Sequence, residues 1–568
     1  MSEAKSAKRD QSQEESGQEQ RFEKFVSILI ASVTIWAAIT AFYQTYASTE
    51  ASKANRRAQE YSIAATQKRV TGSIQFSYDW QGAFQIWREL DLQITAAEQE
   101  GDNAAAQRYR TLRDYMTTVS PLLQEPYFDG NWPNSSKYEA DLYLVEATRS
   151  SEHFAAEAAI GNGWDGIASA LVVQITLLAV ALALYGLSTT LGSWVRWVFV
   201  TVATGLVGLC VLWLLLSLVW PLPELPDKAI DAYAEGVGLA WQAEDEAAIA
   251  KFNEALTAAP NYANAFNERA ESYYYLGDYE QAVSDYLAAQ QNGKDDVNVG
   301  WNLGWTYYLM GRFDDAIAVD KHVLDLDSTV VGVQMNLALA YMVKGDFEAS
   351  QAAYDVALNE AARQVKEARD AGKQPPSSLW FYLDASALDL ENLTDQMNNS
   401  PRPWTQAPPA ETVTVDHDQL QTFAFEQMKR IKEHLVALEY NSTPPAGPTS
   451  ANVSDFQFAQ EVYDDAGNFD RYDIASSFPY GTNEMVILFD YAGFQPGQKE
   501  IWKVYVNGEE DTALRVVDNW ALEDSGSAAK AISYAFSNVF IFSPGEYTVE
   551  LFIDNELLKR GTFFVEDQ

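Results

Sequence analysis

A glycine recurs every 34 residues through the middle of this 568-residue chain, at Gly277, Gly311 and Gly345. Tyr273, Tyr307 and Tyr341 keep the same step, as do Ala248, Ala282, Ala316 and Ser350. A period of 34 is that of helix–turn–helix solenoids, whose short units bury their apolar faces only by stacking on one another. The glycines suit the left-handed residue that stops a helix. A chain organised in this way is expected to work by holding a partner.

Four units fill Ala229–Leu358. The third is the clearest: Trp301-Asn302-Leu303-Gly304-Trp305-Thr306-Tyr307-Tyr308-Leu309-Met310-Gly311, then Ala316. On these residues the stretch resembles the tetratricopeptide repeats (TPR). The resemblance implies that small residues let the two helices of a unit approach closely. They are Gly236, Ala270, Gly304 and Ala338 on the first helices, and Ala248, Ala282, Ala316 and Ser350 on the second. It also implies that Phe252, Tyr286 and Tyr354 fill the space between units. Asp320 stands where the third unit should carry such a residue, which would loosen that contact.

The same resemblance implies a concave groove lined by the first helices. By position it takes Asn267, Glu271 and Tyr274 from the second unit, Trp301, Asn302, Trp305 and Tyr308 from the third, and Met335, Asn336 and Met342 from the fourth. Asn302 and Asn336 should project alike, and an amide that both donates and accepts can grip an extended peptide backbone. Trp and Tyr offer rigid contact area, and Met adapts to its partner. The competing reading of each is packing against a neighbouring helix. The set holds no lysine or arginine, so a clamp for acidic peptide ends is not expected; an apolar or basic peptide fits better.

Three stretches, 25–46, 165–187 and 197–220, carry no charge after Asp165 at the edge of the second and are long enough for the ~20 residues that span a bilayer. Trp194, Trp197 and Trp220 sit where interfacial aromatics belong. The first stretch reads as a retained anchor, since it lacks a small-residue cleavage signature. Three crossings put 47–164 and everything after 221 on one side of the cell membrane. Basic residues near the spans barely distinguish the two orientations; the C-terminal module described below argues for the extracytoplasmic side. The polar tail 1–24 is expected to be disordered. Segment 47–164 reads as a helical bundle, with apolar residues at helical spacing through Phe84, Trp87, Leu90, Leu92 and Ile94. Such a bundle either senses a signal or simply spaces and packs against the membrane helices.

After the array, 359–440 reads as further helices capping the solenoid, and 441–453 as a Pro-containing linker. Segment 454–568 turns to strand patterning, with strands expected at Met485–Tyr491, Ile501–Val506, Val539–Phe542, Tyr547–Ile553 and Gly561–Val565 and hairpin turns at Asn507-Gly508 and Asp554-Asn555. The runs Phe478-Pro479-Tyr480-Gly481-Thr482, Phe489-Asp490-Tyr491, Trp502 and Gly545-Glu546-Tyr547 resemble an immunoglobulin-like β-sandwich of secreted or surface-anchored bacterial proteins. That resemblance implies adhesion or partner binding. The acidic turn with Asp464, Asp465 and Asp470 is a weak calcium candidate; a plain hairpin turn is the stronger reading.

A net charge of −41 at pH 7 leaves no basic patch for phosphates, which argues against nucleic acid as a partner. One cysteine, Cys210, excludes an intramolecular disulfide and a multi-cysteine zinc site. His153, His322, His417 and His434 form no ligand pattern, and neither a phosphate loop nor a nucleophile–base set stands out, so no enzyme, cofactor or metal is expected. The expected chain is multi-domain: three transmembrane helices with an inserted helical bundle, an all-α TPR solenoid and a C-terminal all-β sandwich. It would act as a membrane-anchored scaffold for a protein or peptide, with the lipid bilayer as its other partner; homo-oligomerisation is left open. The alternative is a membrane sensor with 47–164 as its input.

Overall fold

The first apolar stretch belongs to one helix of 76 residues, α1 (Ser2–Ser77). The computed structural model describes residues 2–191, 194–219, 221–373, 375–398, 406–442, 451–463, 469–495, 498–511, 514–520, 525–533, 542–553 and 556–566. At its rise per residue α1 is about 110 Å long, several times a bilayer core. The tail 1–24, expected to be disordered, is helical from Ser2 onward. Its Glu, Gln, Lys and Ala residues are strong helix formers, and the apolar helix that follows removes the cost of nucleation.

The chain divides into two units, Met1–Ser272 and Tyr273–Gln568. In the first, a π-helical turn at Tyr78–Phe84 leads from α1 into α2 (Gln85–Glu100) and α3 (Asn103–Val119). Then come α4 (Ser135–Glu139), α5 (Val145–Ser188) and α6 (Val195–Val219). Helices α1 and α5 run antiparallel, and small residues let them close up. Ala47, Ala51, Ala54, Ala58 and Ala65 are all buried, at steps of three, four and seven. A methyl group on Gly161 would lie 2.3 Å from Asn55, and one on Gly72 equally close to Tyr143. Arg57 holds Glu157 through two nitrogens at 2.8 and 2.9 Å, and Tyr61 stacks on His153 at 4.7 Å. Segment 47–164 is therefore a two-helix stalk with a small head, rather than a bundle throughout. The head packs Phe84, Trp87, Leu122, Leu123 and Tyr138 around Asp79, which accepts the Tyr138 hydroxyl at 2.6 Å.

Helices α1, α5 and α6 each contain a stretch long and apolar enough to cross a membrane. They meet through Val26, Val33, Leu178, Ala181, Val200 and Ala203, while Ile28, Ile35, Phe42 and Leu209 stay exposed on the outside. Apolar residues on every face are compatible with insertion into lipid. Beyond α6 the array begins with α7 (Asp227–Trp241), α8 (Asp245–Ala258) and α9 (Ala263–Tyr275). Phe252 lies against Gly236, as the repeat pattern requires. Helix α5 is bolted to these repeats. Arg149 pairs with Asp231 at 2.7 Å, and Glu152 accepts from the Tyr262 hydroxyl at 2.7 Å and from the Asn264 amide at 3.1 Å.

The second unit continues with α10 (Tyr279–Gln291), α11 (Val297–Leu309), α12 (Phe313–Leu326), α13 (Val331–Val343) and α14 (Phe347–Asp370). Gly277, Gly311 and Gly345 all take φ between 72° and 81°. Beside them the Tyr273, Tyr307 and Tyr341 carbonyls accept the N–H of Asp278, Arg312 and Asp346 at 2.9, 2.9 and 3.0 Å. This six-residue closure stops each first helix. Ser350, in place of alanine, donates its hydroxyl to the Ala338 carbonyl at 2.8 Å. Helix α14 runs on without a break to Asp370, so the first part of 359–440 continues the last repeat's second helix instead of starting a new one. Helices α15 (Ser377–Met397) and α16 (His417–Ser442) pack on each other; α15 also packs on α13 and α16 on α14, where Arg430 pairs with Asp355.

The C-terminal region forms two sheets. One joins β1 (Asn452–Val453), β2 (Gln457–Tyr463), β3 (Phe469–Ile474), β5 (Glu484–Ala492) and β9 (Ser525–Ser533). The other joins β4 (Ser477–Phe478), β6 (Lys499–Val506), β7 (Glu509–Glu510), β8 (Val516–Asn519), β10 (Gly545–Ile553) and β11 (Glu556–Val565). Phe458, Ile487 and Phe489 of the first share a core with Trp502, Val549 and Phe563 of the second. Asn507 and Gly508 both have positive φ, as a tight hairpin between β6 and β7 demands. The turn Asp554-Asn555, the strand expected at Val539–Phe542 except Phe542, Trp220, and most of the linker lie outside the described residues. So do Asp464, Asp465 and the side chain of Asp470.

Asp320 does not loosen the array by leaving a gap. It is buried, against Gly304, with one carboxyl oxygen lacking a partner, and burial pushes its carboxyl well above the usual range. A raised folded-state pKa means that its stabilising contribution is complete below the unfolded value, near 3.8, and is lost as pH rises through the folded one. Asp320→Asn should therefore stabilise α11–α13 by about 1–3 kcal/mol near pH 8 and have little effect near pH 4. Hydrogen exchange of those amides measures it; equal protection at both pH values would contradict the assignment.

Candidate functional site

Helical spacing places Asn298, Trp301, Asn302 and Trp305 on one face of α11, and Gly332, Met335 and Asn336 on one face of α13. A third face, on α15, presents Ser378, Phe381, Tyr382, Ala385, Ser386 and Asp389. With Gln406 they line an open cavity of about 660 Å³. Helix α15 stands across the groove side of the array. Leu379, Leu383, Leu390 and Leu393 are buried with it, and Tyr382 rests on Trp301 at 4.9 Å between ring centres. Gly332 makes room, since a methyl group there would lie 2.4 Å from the Trp301 ring.

The two indoles are held by their N–H groups. Trp305 Nε1 donates to the Tyr274 hydroxyl at 3.0 Å, which donates to Gln406 Oε1 at 3.1 Å. With the Asn336 amide oriented so that its nitrogen faces the Gly332 carbonyl, its oxygen accepts from Trp301 Nε1 at 3.2 Å. Tyr308 stacks on Trp305 at 4.9 Å, so part of that indole's surface is already covered.

Five of the ten residues expected in a groove line this cavity: Trp301, Asn302, Trp305, Met335 and Asn336. Two are packing residues instead. Met342 is fully buried; Tyr308 is buried against Trp305 and Phe313, its hydroxyl lacks a partner, and burial raises its pKa strongly. Tyr274 braces Trp305 from outside the cavity lining. Asn267 and Glu271 belong to the first unit, where the Asn267 side chain is buried and donates to Glu271 at 3.0 Å. The contribution of α15 was missed by sequence reasoning. Its apolar and polar residues show the spacing that could have revealed it, but a segment beyond the last repeat was expected to close the solenoid's end rather than enter its groove.

Among the described residues Asp389 is the one acid on the cavity wall. It is half-buried, and burial pushes its carboxyl up to about 7. Among the described residues no lysine, arginine or histidine lines the cavity. Among them, too, no cluster of His, Cys, Asp or Glu has the makings of a metal site. The cavity wall combines aromatic rings with amide, hydroxyl and carboxyl groups.

No family model matches the chain. It is 27% identical over 148 residues to small glutamine-rich tetratricopeptide repeat-containing protein 2 of Saccharomyces cerevisiae, which covers 26% of this chain and 40% of that protein. It is 36% identical over 74 residues to tetratricopeptide repeat protein 36 of Danio rerio, which covers 13% of this chain and 40% of that one. The chain thus spans two fifths of the length of each curated relative. Among solved structures, YrrB, titled a TPR protein with an unusual peptide-binding site, shares 12% identity at a TM-score of 0.24, covering 38% of this chain and 92% of that one, a likeness too low to bear on the fold. The two curated relatives support a tetratricopeptide-repeat protein.

Proposed function

We propose that this chain is a non-enzymatic, membrane-anchored scaffold that holds a protein or peptide partner in the cavity between α11, α13 and α15. The cavity carries the reading: a repeat array similar to TPR relatives keeps Trp301, Asn302, Trp305, Met335 and Asn336 around open space instead of burying them all. Because α15 takes up part of the groove side, the partner inserts a short segment rather than lying along the whole array. In this account α1, α5 and α6 cross the cell membrane, 47–164 and 221–568 lie together on its extracytoplasmic side, and the C-terminal sheets form an immunoglobulin-like module for a further envelope contact.

A photo-crosslinker at Asn298 in intact cells should capture the partner. Asn302→Ala with Trp305→Ala should cut that capture about tenfold or more while far-ultraviolet dichroism stays the same. Undiminished capture would sink the assignment of the site. A tag after Gln568 should be removed by protease added outside the cell, once any outer layer is opened; protection alongside a cytoplasmic control would reverse the orientation.

One observation favours a second reading, a membrane sensor. The stalk helix α5 grips the first repeats through Arg149–Asp231 and through Glu152 with Tyr262 and Asn264, so movement of the stalk reaches the array directly. If sensing operates, Glu152→Ala should change partner affinity about fivefold or more. An unchanged binding curve would leave the stalk as a spacer.

A further inference from the structure

The cavity between α11, α13 and α15 has the furnishings of a cation site. We propose that it receives the lysine or arginine side chain of the partner's inserted segment, an inference that rests on the groove proposed above. The indole N–H groups of Trp301 and Trp305 are already engaged, by Asn336 and Tyr274, and Tyr308 stacks on Trp305 at 4.9 Å, so what the two indoles leave to an occupant is the ring surface that lines the cavity. Tyr382 adds a third ring 4.9 Å from Trp301. Ring faces attract ammonium and guanidinium groups through their negative centres.

Asp389 stands on the wall of the same cavity, and among the described residues no basic side chain lines it. A carboxylate drawn away from water without a counter-charge is costly, and a cationic ligand would supply that charge. An anionic ligand would meet the carboxylate with no basic side chain among the described lining residues to receive it. The whole chain, at −41, also favours approach of a basic segment. A peptide fits better than a free amine because Phe381, at the cavity, leaves 65% of its surface exposed. Residues flanking the cation would cover that apolar surface; a small amine would not.

The test uses the full chain in detergent and a phage-displayed peptide library. Selection should enrich peptides with lysine or arginine, and the best arginine peptide should bind about tenfold or more tighter than the same peptide carrying citrulline, its neutral isostere. Asp389→Asn, nearly isosteric, should erase that difference, with dichroism and hydrogen exchange reporting an unchanged fold. If the citrulline peptide binds equally well, yet binding is lost in the Asn302→Ala, Trp305→Ala variant, the cation inference fails and the groove stands. If binding survives that double variant, both fail. Displacement of the arginine peptide by n-butylammonium at concentrations comparable to the peptide would overturn the peptide as the source of the cation. An arginine preference that persists in Asp389→Asn would overturn the role of the carboxylate.

Discussion

The array depends on one backbone closure repeated at a fixed step. Each first helix must stop, and release the chain so that the second can fold back along it. In the second unit the stop is a glycine with positive φ, beside a tyrosine carbonyl that accepts the N–H of the residue five positions on. The first unit makes the same closure at Ala243, with φ of 57° and the Leu239 carbonyl as acceptor. A side chain tolerates that conformation poorly, so the hydrogen bond and the packing around it hold the turn where a glycine would hold it freely. Once the turn is set, the close approach of the two helices follows from small residues: Gly236 under Phe252, Gly304 under Asp320, and Ala338 with Ser350.

Repetition brings side chains 34 residues apart into the same relation with their surroundings, and it sets Trp301 and Asn302 beside Met335 and Asn336. Helix α15 then changes what that surface can do. A bare concave face would admit an extended peptide along its length. With Tyr382 on Trp301 and Asp389 facing the same space, the open surface narrows to an aromatic and acidic cavity. On the proposed reading, selectivity there would come from aromatic rings and a carboxylate rather than from the paired backbone contacts that Asn302 and Asn336 suggested, since the Asn336 amide is turned to the Trp301 indole N–H and its own helix.

The first unit follows a different logic. Its apolar helices expose Ile28, Ile35, Phe42 and Leu209 outward, an exposure compatible with an apolar surrounding. Outside that zone α1 and α5 stay together through alanine and glycine, whose small size trades side-chain burial for close backbone approach, and through the Arg57–Glu157 pair. The same α5 carries Arg149 and Glu152 to the first repeats. A long, stiff helix pair thereby becomes the mechanical connection between the apolar helices and the start of the array.

By itself the amino-acid sequence determined the features that repeat or alternate over short distances. The 34-residue period, the glycine stops, the three apolar stretches, the strands of the C-terminal region and the Asn507-Gly508 hairpin are local: each is written in neighbouring residues, through helix periodicity, turn conformation or alternation. The alanine spacing from Ala47 to Ala65 was legible as well, yet small residues read as featureless composition until a partner helix is known. Tertiary structure alone decided which expected groove residues stay open. Tyr308 and Met342 follow the same repeat logic as Trp301, but they are enclosed by neighbouring packing, as Met335 is in all but the edge it turns to the cavity, and whether a helix face meets solvent or protein is a property of what lands on it. The fate of Asp320 and the acid of Asp389 belong to the same class, because burial, not residue type, moves a carboxyl. The entry of α15 onto the groove side was decided by a contact between segments some eighty residues apart in the chain, Trp301 and Tyr382, and contacts at such separation leave no periodic trace in sequence.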